Sequence, residues 1–259
     1  MNRTAVVIAL VIATVVGIIF AVSPRLDLDI SAPFYDRNRD IFIVNAQLWV
    51  YYLRNGARAL ITLLVAPAFL AAIGKVIWPR RRMLIEGRAA LFLAVTLALG
   101  PGVVTNLIFK DHWGRPRPID VTELGGSDPF TPWWDPRGPC PNNCSFIAGE
   151  PSGAFWTLAP ASLAPPQWRP LAYGAALAFG AGIGLLRIAG GAHFFTDVVF
   201  AGVFMFVLVW TLHGLIYRWR ATRISDKAID RGLSYIGETL RGALGGCAGW
   251  LAGRIRKGS

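Results

Sequence analysis

From Thr4 to Val22 the chain runs without one charged side chain, and a run of that length settles which solvent the protein folds in. About 20 mainly apolar residues wind into a helix long enough to cross the roughly 30 Å hydrocarbon layer of a bilayer. Five further stretches approach the same pattern, at about Leu60–Trp78, Ala89–Phe109, Pro151–Ala164, Leu171–Ile188 and Phe194–Tyr217. Glycine and proline inside them are no objection, since both are more frequent in membrane helices than in soluble ones. Only 16% of the 259 residues are charged, against about 25% in an ordinary soluble domain. The expected fold class is therefore all-α, a polytopic membrane protein of about six transmembrane helices. The fourth stretch is the shortest. The first exceeds the roughly 7–15-residue apolar core of a cleaved signal peptide and reads as an uncleaved anchor.

Charge gives the expected orientation. Arg80, Arg81, Arg82 and Arg88 crowd the short loop after the second stretch, and the tail beyond Tyr217 carries nine basic residues against three acidic ones. The loop from Lys110 to Glu150 instead holds more acids than bases. Cytoplasmic loops are enriched in Lys and Arg. Both termini, the triple-arginine loop and the tail are thus expected in the cytoplasm, and the loop after the third stretch in the periplasm of a bacterial inner membrane. The net charge of +11 sits beside the spans, where anionic headgroups attract it, so no nucleic-acid partner is expected. The chain divides into a first span (1–23), an external interfacial segment (24–58), a transmembrane core (59–217, with its motifs at 110–197) and a basic cytoplasmic tail (218–259). The aromatic run Leu48–Leu53 suits short interfacial helices. In the tail, Ser225–Leu244 reads as an amphipathic helix, with poor order in the glycine-rich sequence after it. Cys140 and Cys144 fall in the external loop, where a disulfide would persist. No His or Cys follows them at zinc-ligand spacing, so no metal is expected. Cys247 in the tail reads as a free thiol.

Three polar clusters mark the external ends of the spans, where ionisable groups are costly unless paired or bound to a ligand. The first is Lys110-Asp-His-Trp-Gly-Arg-Pro-Arg-Pro118. Lys110, Arg115 and Arg117 combine a point charge with planar forks suited to phosphate oxygens; headgroup snorkelling is the plainer alternative. The second, Ser145-Phe-Ile-Ala-Gly-Glu-Pro-Ser-Gly-Ala154, places small residues such as Ser152 and Gly153 where backbone N–H groups at a helix start can approach an anion. The third, Arg187-Ile-Ala-Gly-Gly-Ala-His193-Phe-Phe-Thr-Asp197, sets His193 and Asp197 one helical turn apart. A carboxylate so placed orients an imidazole, as in hydrolytic triads. His193 is the candidate nucleophile.

Together these clusters resemble the type-2 phosphatidic acid phosphatase superfamily over about 90–217. Lys110, six residues, then Arg117-Pro118 match its first motif, and Arg187, five residues, His193, three residues and Asp197 match its third. The resemblance implies a lipid phosphatase in which Lys110, Arg117 and Arg187 hold the phosphate, His193 becomes a phosphohistidine and Asp197 orients it, without a metal ion or other cofactor. Leu186 stands where the family usually has Ser. The middle motif departs further: the family reads Pro-Ser-Gly-His, and here Pro151-Ser152-Gly153 is followed by Ala154. A second register puts Glu150 at the histidine position, which makes Glu150 the candidate general acid and His112 the alternative. The implied partner is a phosphorylated membrane lipid within the bilayer. The Glu-type middle motif and the Trp-rich loop resemble bacterial members assigned to lipid A dephosphorylation. Undecaprenyl diphosphate and phosphatidylglycerol phosphate are the rival substrates, and lipid phosphotransfer or lipid binding without turnover the rival activities. The sequence does not address oligomeric state.

Overall fold

In the computed structural model, backbone is described for residues 3–257 and side chains for 3–243. Nine helices are described: α1 (Arg3–Val22), α2 (Leu26–Ser31), α3 (Leu48–Ile77), α4 (Gly87–Leu97, continuing as a π-helix over Ala98–Lys110), α5 (Gly149–Phe155), α6 (Leu158–Leu163), α7 (Arg169–Ala189), α8 (Phe195–His213, continuing as a π-helix over Gly214–Arg218) and α9 (Asp226–Lys257). The only sheet among the described residues is a hairpin, β1 (Tyr35–Asp36) against β2 (Ile41–Phe42). Among the described residues, five helices are long and apolar enough to cross a membrane. α1 shows why bilayer is the right solvent: Val7, Ile8, Val11, Val15 and Ile18 all point outward and exposed, an apolar surface that water would not tolerate.

The fourth expected span differs from its prediction. It is two short helices, α5 and α6, separated at Trp156-Thr157. The Thr157 N–H and hydroxyl both turn back onto the Ala154 carbonyl, at 3.1 and 2.6 Å, and Pro160 supplies no N–H to continue the ladder. From Gly149 to Leu163 the pair rises only about 22 Å at 1.5 Å per residue. It is nevertheless well enclosed: Ala154, Trp156, Leu158 and Ala159 are buried, with Trp156 donating its indole N–H to Thr96 in α4 at 2.9 Å. The pair returns the chain from the end of α4, where Gly149 meets Lys110, to the start of α7, where Arg169 bonds the Ala164 carbonyl at 3.1 Å.

Two compact units are present. The first joins residues 1–64 to 95–212. Its core gathers Phe146, Ile147, Phe155, Phe200 and Met205. The Trp-rich loop folds back onto it, with Trp113 against Phe146 at 4.9 Å and Trp133 against Phe200 at 4.5 Å between ring centroids. α5 packs on α7 because α7 presents glycine there: a Cβ at Gly180 would lie 2.2 Å from the Phe155 ring. Gly184 gives α8 the same close approach, where a Cβ would lie 2.3 Å from Val198. The second unit joins residues 65–94 to 213–259. There α9 is tied to the two helix ends that flank the triple-arginine loop, by Lys75–Asp230 (2.9 Å) from α3 and Arg88–Asp226 (2.7 Å) from α4.

Two further segments depart from expectation. The run Leu48–Leu53 is the opening of α3, not a separate interfacial helix, so α3 starts well before Leu60. In the tail, α9 continues past Leu244 through the glycine-rich sequence to Lys257. Cys247 lies outside the residues whose side chains are described.

Candidate active site

His193 occupies the turn between α7 and α8 and is 2% exposed. Gly191 enters that turn at φ +68, where a side chain would strike the Phe42 ring. The His193 Nδ1 stands 2.8 Å from the Ser145 carbonyl oxygen. A carbonyl only accepts, so Nδ1 bears the proton and Nε2 keeps its lone pair. This is the tautomer an imidazole nucleophile needs.

Asp197, expected to orient that imidazole directly, does so at one remove. Its Oδ2 is 3.9 Å from His193 Nδ1, beyond hydrogen-bond range. Three nearer donors claim the carboxylate: the Ser145 hydroxyl at 2.5 Å, the Phe194 N–H at 2.8 Å and Arg115 Nη1 at 2.5 Å. Asp197 fixes Ser145, and Ser145 fixes His193.

Arg115 does not face a substrate. It is fully buried, donating to Asp27 (2.7 Å), Asp197 (2.5 Å), Thr196 (2.8 Å) and the Thr131 carbonyl (3.0 Å), with its guanidinium 4.3 Å from the centre of the Phe194 ring. A buried guanidinium must be paired, and two buried carboxylates, Asp27 and Asp197, take it. Ser152 is likewise occupied internally: its hydroxyl donates to the Ala148 carbonyl at 2.8 Å and accepts from Thr105 at 3.1 Å.

Lys110, Arg117 and Arg187 do converge on the histidine. Burial holds the His193 pKa well below its ordinary 6.5, and the charges of Arg187, Lys110 and Arg117 lower it further. Lys110 Nζ donates to the Asn143 side chain at 3.1 Å, and Arg117 Nη2 to the Asn143 carbonyl at 2.7 Å. Arg187 is 8% exposed and its Nε has no hydrogen-bond partner. The nearest carboxylate oxygen, Oε2 of Glu150, is 3.6 Å away.

Glu150 itself is gripped by two residues that the motifs did not bring forward. Arg54 Nε reaches Oε2 at 2.9 Å, Arg54 Nη2 reaches Oε1 at 2.5 Å, and Arg58 Nη2 reaches Oε1 at 2.8 Å. Burial pushes the carboxyl upward, but the hydrogen bonds from Arg54 and Arg58 and the charge of Arg187 overcome it and hold the pKa at about 2. A general acid must keep its proton at neutral pH, so these surroundings oppose the role expected of Glu150. The alternative acid, His112, is exposed, with Nδ1 3.2 Å from the Ile108 carbonyl. Arg54 and Arg58 were detectable in principle, as a pair of cations one turn apart in an otherwise apolar helix. They line a cleft of about 300 Å³ with Lys110, Glu150 and Gly153. Cys140 and Cys144 are joined by a disulfide, Cα to Cα 5.8 Å.

A buried histidine bonded through Nδ1 to a carbonyl, with three cations close by near the ends of apolar helices, has the groups that phosphoryl transfer calls for. The chain belongs to the PAP2 superfamily, which its residues 89–224 match. It is 35% identical to a lipid A 4'-phosphatase of Francisella tularensis subsp. novicida (strain U112) over 219 residues, covering 84% of this chain and 98% of that protein. A lipid A 4'-phosphatase of Rhizobium leguminosarum is 36% identical over 104 residues, 40% of this chain and 45% of the relative. A crystal structure of a transmembrane PAP2-type phosphatidylglycerolphosphate phosphatase from Bacillus subtilis aligns with 83% of this chain and 96% of its own, at 18% identity and a TM-score of 0.49. The protein is an integral membrane lipid phosphatase.

Proposed function

We propose that this phosphatase removes a phosphate from a lipid A-type glycolipid at the periplasmic face of the inner membrane, through a phosphohistidine on His193. The observation that carries the chemistry is the Nδ1 bond to the Ser145 carbonyl, which leaves Nε2 as the only nucleophilic nitrogen. Lys110, Arg117 and Arg187 take the phosphoryl oxygens and stabilise the charge spread over them as the bond to the leaving oxygen breaks. Nε2 bonds to phosphorus, and the leaving oxygen departs with a proton from His112 or from water in the cleft. Water then attacks phosphorus and gives its proton back to the group that supplied the first one, the P–Nε2 bond breaks, and inorganic phosphate and free imidazole are released. Glu150 stays ionised and holds Arg54, Arg58 and Arg187 together. The two lipid A 4'-phosphatase relatives support the substrate class. The acid-rich loop and the Cys140–Cys144 disulfide support an oxidising, external location for the site.

The test is phosphate release by detergent-purified protein, in excess chelator, from lipid A, undecaprenyl diphosphate, phosphatidylglycerol phosphate and phosphatidic acid. Release from lipid A above the others, lost in His193→Ala, is the expected result. Preference for another lipid overturns the substrate, and a phosphorylated acceptor in place of free phosphate overturns hydrolysis.

A further inference from the structure

The three cations assigned to the phosphate are tethered in two different ways. Arg187 leans on Glu150. Lys110 and Arg117 both lean on Asn143, one through its side-chain oxygen (3.1 Å) and the other through its carbonyl (2.7 Å). Asn143 makes both contacts from a left-handed conformation, φ 49, which asparagine tolerates better than most residues. Its own N–H faces Asp111 at 3.4 Å. The next two residues continue the same construction. The Cys144 N–H donates to the Lys110 carbonyl at 2.9 Å, the Ser145 N–H to the Arg115 carbonyl at 2.8 Å, and the Ser145 carbonyl receives His193 Nδ1. Residues 143–145 therefore touch two phosphate cations and the nucleophile in sequence. The disulfide closes a five-residue ring, Cys140 to Cys144, around Asn143.

We propose that Asn143 is a positioning residue of the phosphate site, setting Lys110 and Arg117 against His193, and that the Cys140–Cys144 bridge holds Asn143 in the conformation that does this. The role deepens the phosphohistidine reading and rests on it. Long basic side chains lose much rotamer freedom when they grip an anion. Tethering them before the phosphate arrives removes that cost from binding and from the chemical step. Each tether uses one N–H, so the Lys110 ammonium and the Arg117 guanidinium keep further donors for phosphate oxygens.

The experiment measures inorganic phosphate binding, as protection against thermal unfolding of the detergent-solubilised full chain, alongside lipid phosphate release. Asn143→Gly keeps the carbonyl and permits the left-handed backbone, and it deletes the side chain that accepts from Lys110. The expected result is that Asn143→Gly needs about tenfold more phosphate for half-protection, the loss of one charge-assisted contact, and that kcat/KM falls at least as far. The double variant Cys140→Ser/Cys144→Ser shows a similar weakening, and combining it with Asn143→Gly adds little, because both act on one tether. A bridge that merely stabilised the fold would lower the unfolding temperature and leave the half-protecting phosphate concentration alone. An unchanged concentration in both variants overturns the proposal, as does a wild-type protein that phosphate does not protect. Phosphate protection without release from any lipid overturns the phosphatase chemistry and leaves the binding comparison to judge Asn143.

Discussion

Replacing Glu150 by glutamine distinguishes a carboxyl group that donates a proton from a carboxylate that holds arginines together. In the folded protein its pKa falls from an ordinary 4.5 to about 2. At about 1.4 kcal/mol per pH unit that difference is about 3 kcal/mol. The side chain is 23% exposed, and solvent screening brings the figure to about 2 kcal/mol. A carboxylate with a depressed pKa stabilises the fold above its unfolded value and loses that contribution as pH falls toward the folded one. The contribution is therefore complete at pH 7 and fades between about pH 4.5 and about 2. At roughly 2–4 °C per kcal/mol for a chain of this size, Glu150→Gln should unfold about 4–8 °C below wild type at pH 7 in detergent. The gap should narrow as both are acidified below pH 4.5. Turnover should fall about tenfold as Arg187 loses its neighbour, with the alkaline side of the kcat profile unmoved. General acids contribute roughly 10²–10⁴-fold. A loss of that size, with disappearance of the alkaline limb and an unchanged unfolding temperature, would refute the positioning role.

Three further outcomes follow from the same geometry. Because burial and the surrounding cations depress His193, Nε2 stays unprotonated below the usual histidine range. kcat/KM should be flat from pH 7 to pH 6, and a midpoint at 6.5, the ordinary histidine value, contradicts this. Arg115→Met strands Asp27 and Asp197 in the interior at a cost of about 3–5 kcal/mol. The variant should fail to give monodisperse protein on gel filtration, whereas a substrate-binding arginine could be lost without harm to the fold. Gly149→Ala places a Cβ 2.9 Å from Lys110 Cε and Nζ. It should raise KM several-fold while leaving thermal unfolding near wild type, measured by phosphate release and a melting curve.

Five of the six expected spans were legible because lipid selects for apolar length, a property a sequence displays directly. Lys110, Arg117, Arg187 and His193 were legible through spacing, since short turns at helix ends fix where those groups meet. Arg115 was not separable from Arg117. The two stand two residues apart in one basic cluster, and what swallows Arg115 is Asp27, 88 positions away and outside every motif. The direct Asp197–His193 contact was expected from helical spacing alone, and it yields to Ser145, which competes for the carboxylate from another segment. Arg54 and Arg58 precede the apolar run that begins at Leu60 and stand in a stretch whose mixed charge reads as interfacial, so nothing in the sequence links them to a motif. Their meaning depends on Glu150, more than 90 residues on.

The broken pair α5–α6 has a consequence for how the cleft is held. A segment of about 22 Å, interrupted at its middle, is too short to span hydrocarbon by itself, and a loosened backbone such as that at Trp156-Thr157 needs enclosing protein wherever water is scarce. Its place is made by α7, whose Gly180 receives Phe155, and by Thr96 of α4, which meets the Trp156 indole. Glu150 and Gly149 begin that segment and line the cleft with Lys110. A substitution that unseats Phe155 from α7 would therefore be felt at the far end of the segment, as a disordered cleft, while the long helices remained intact.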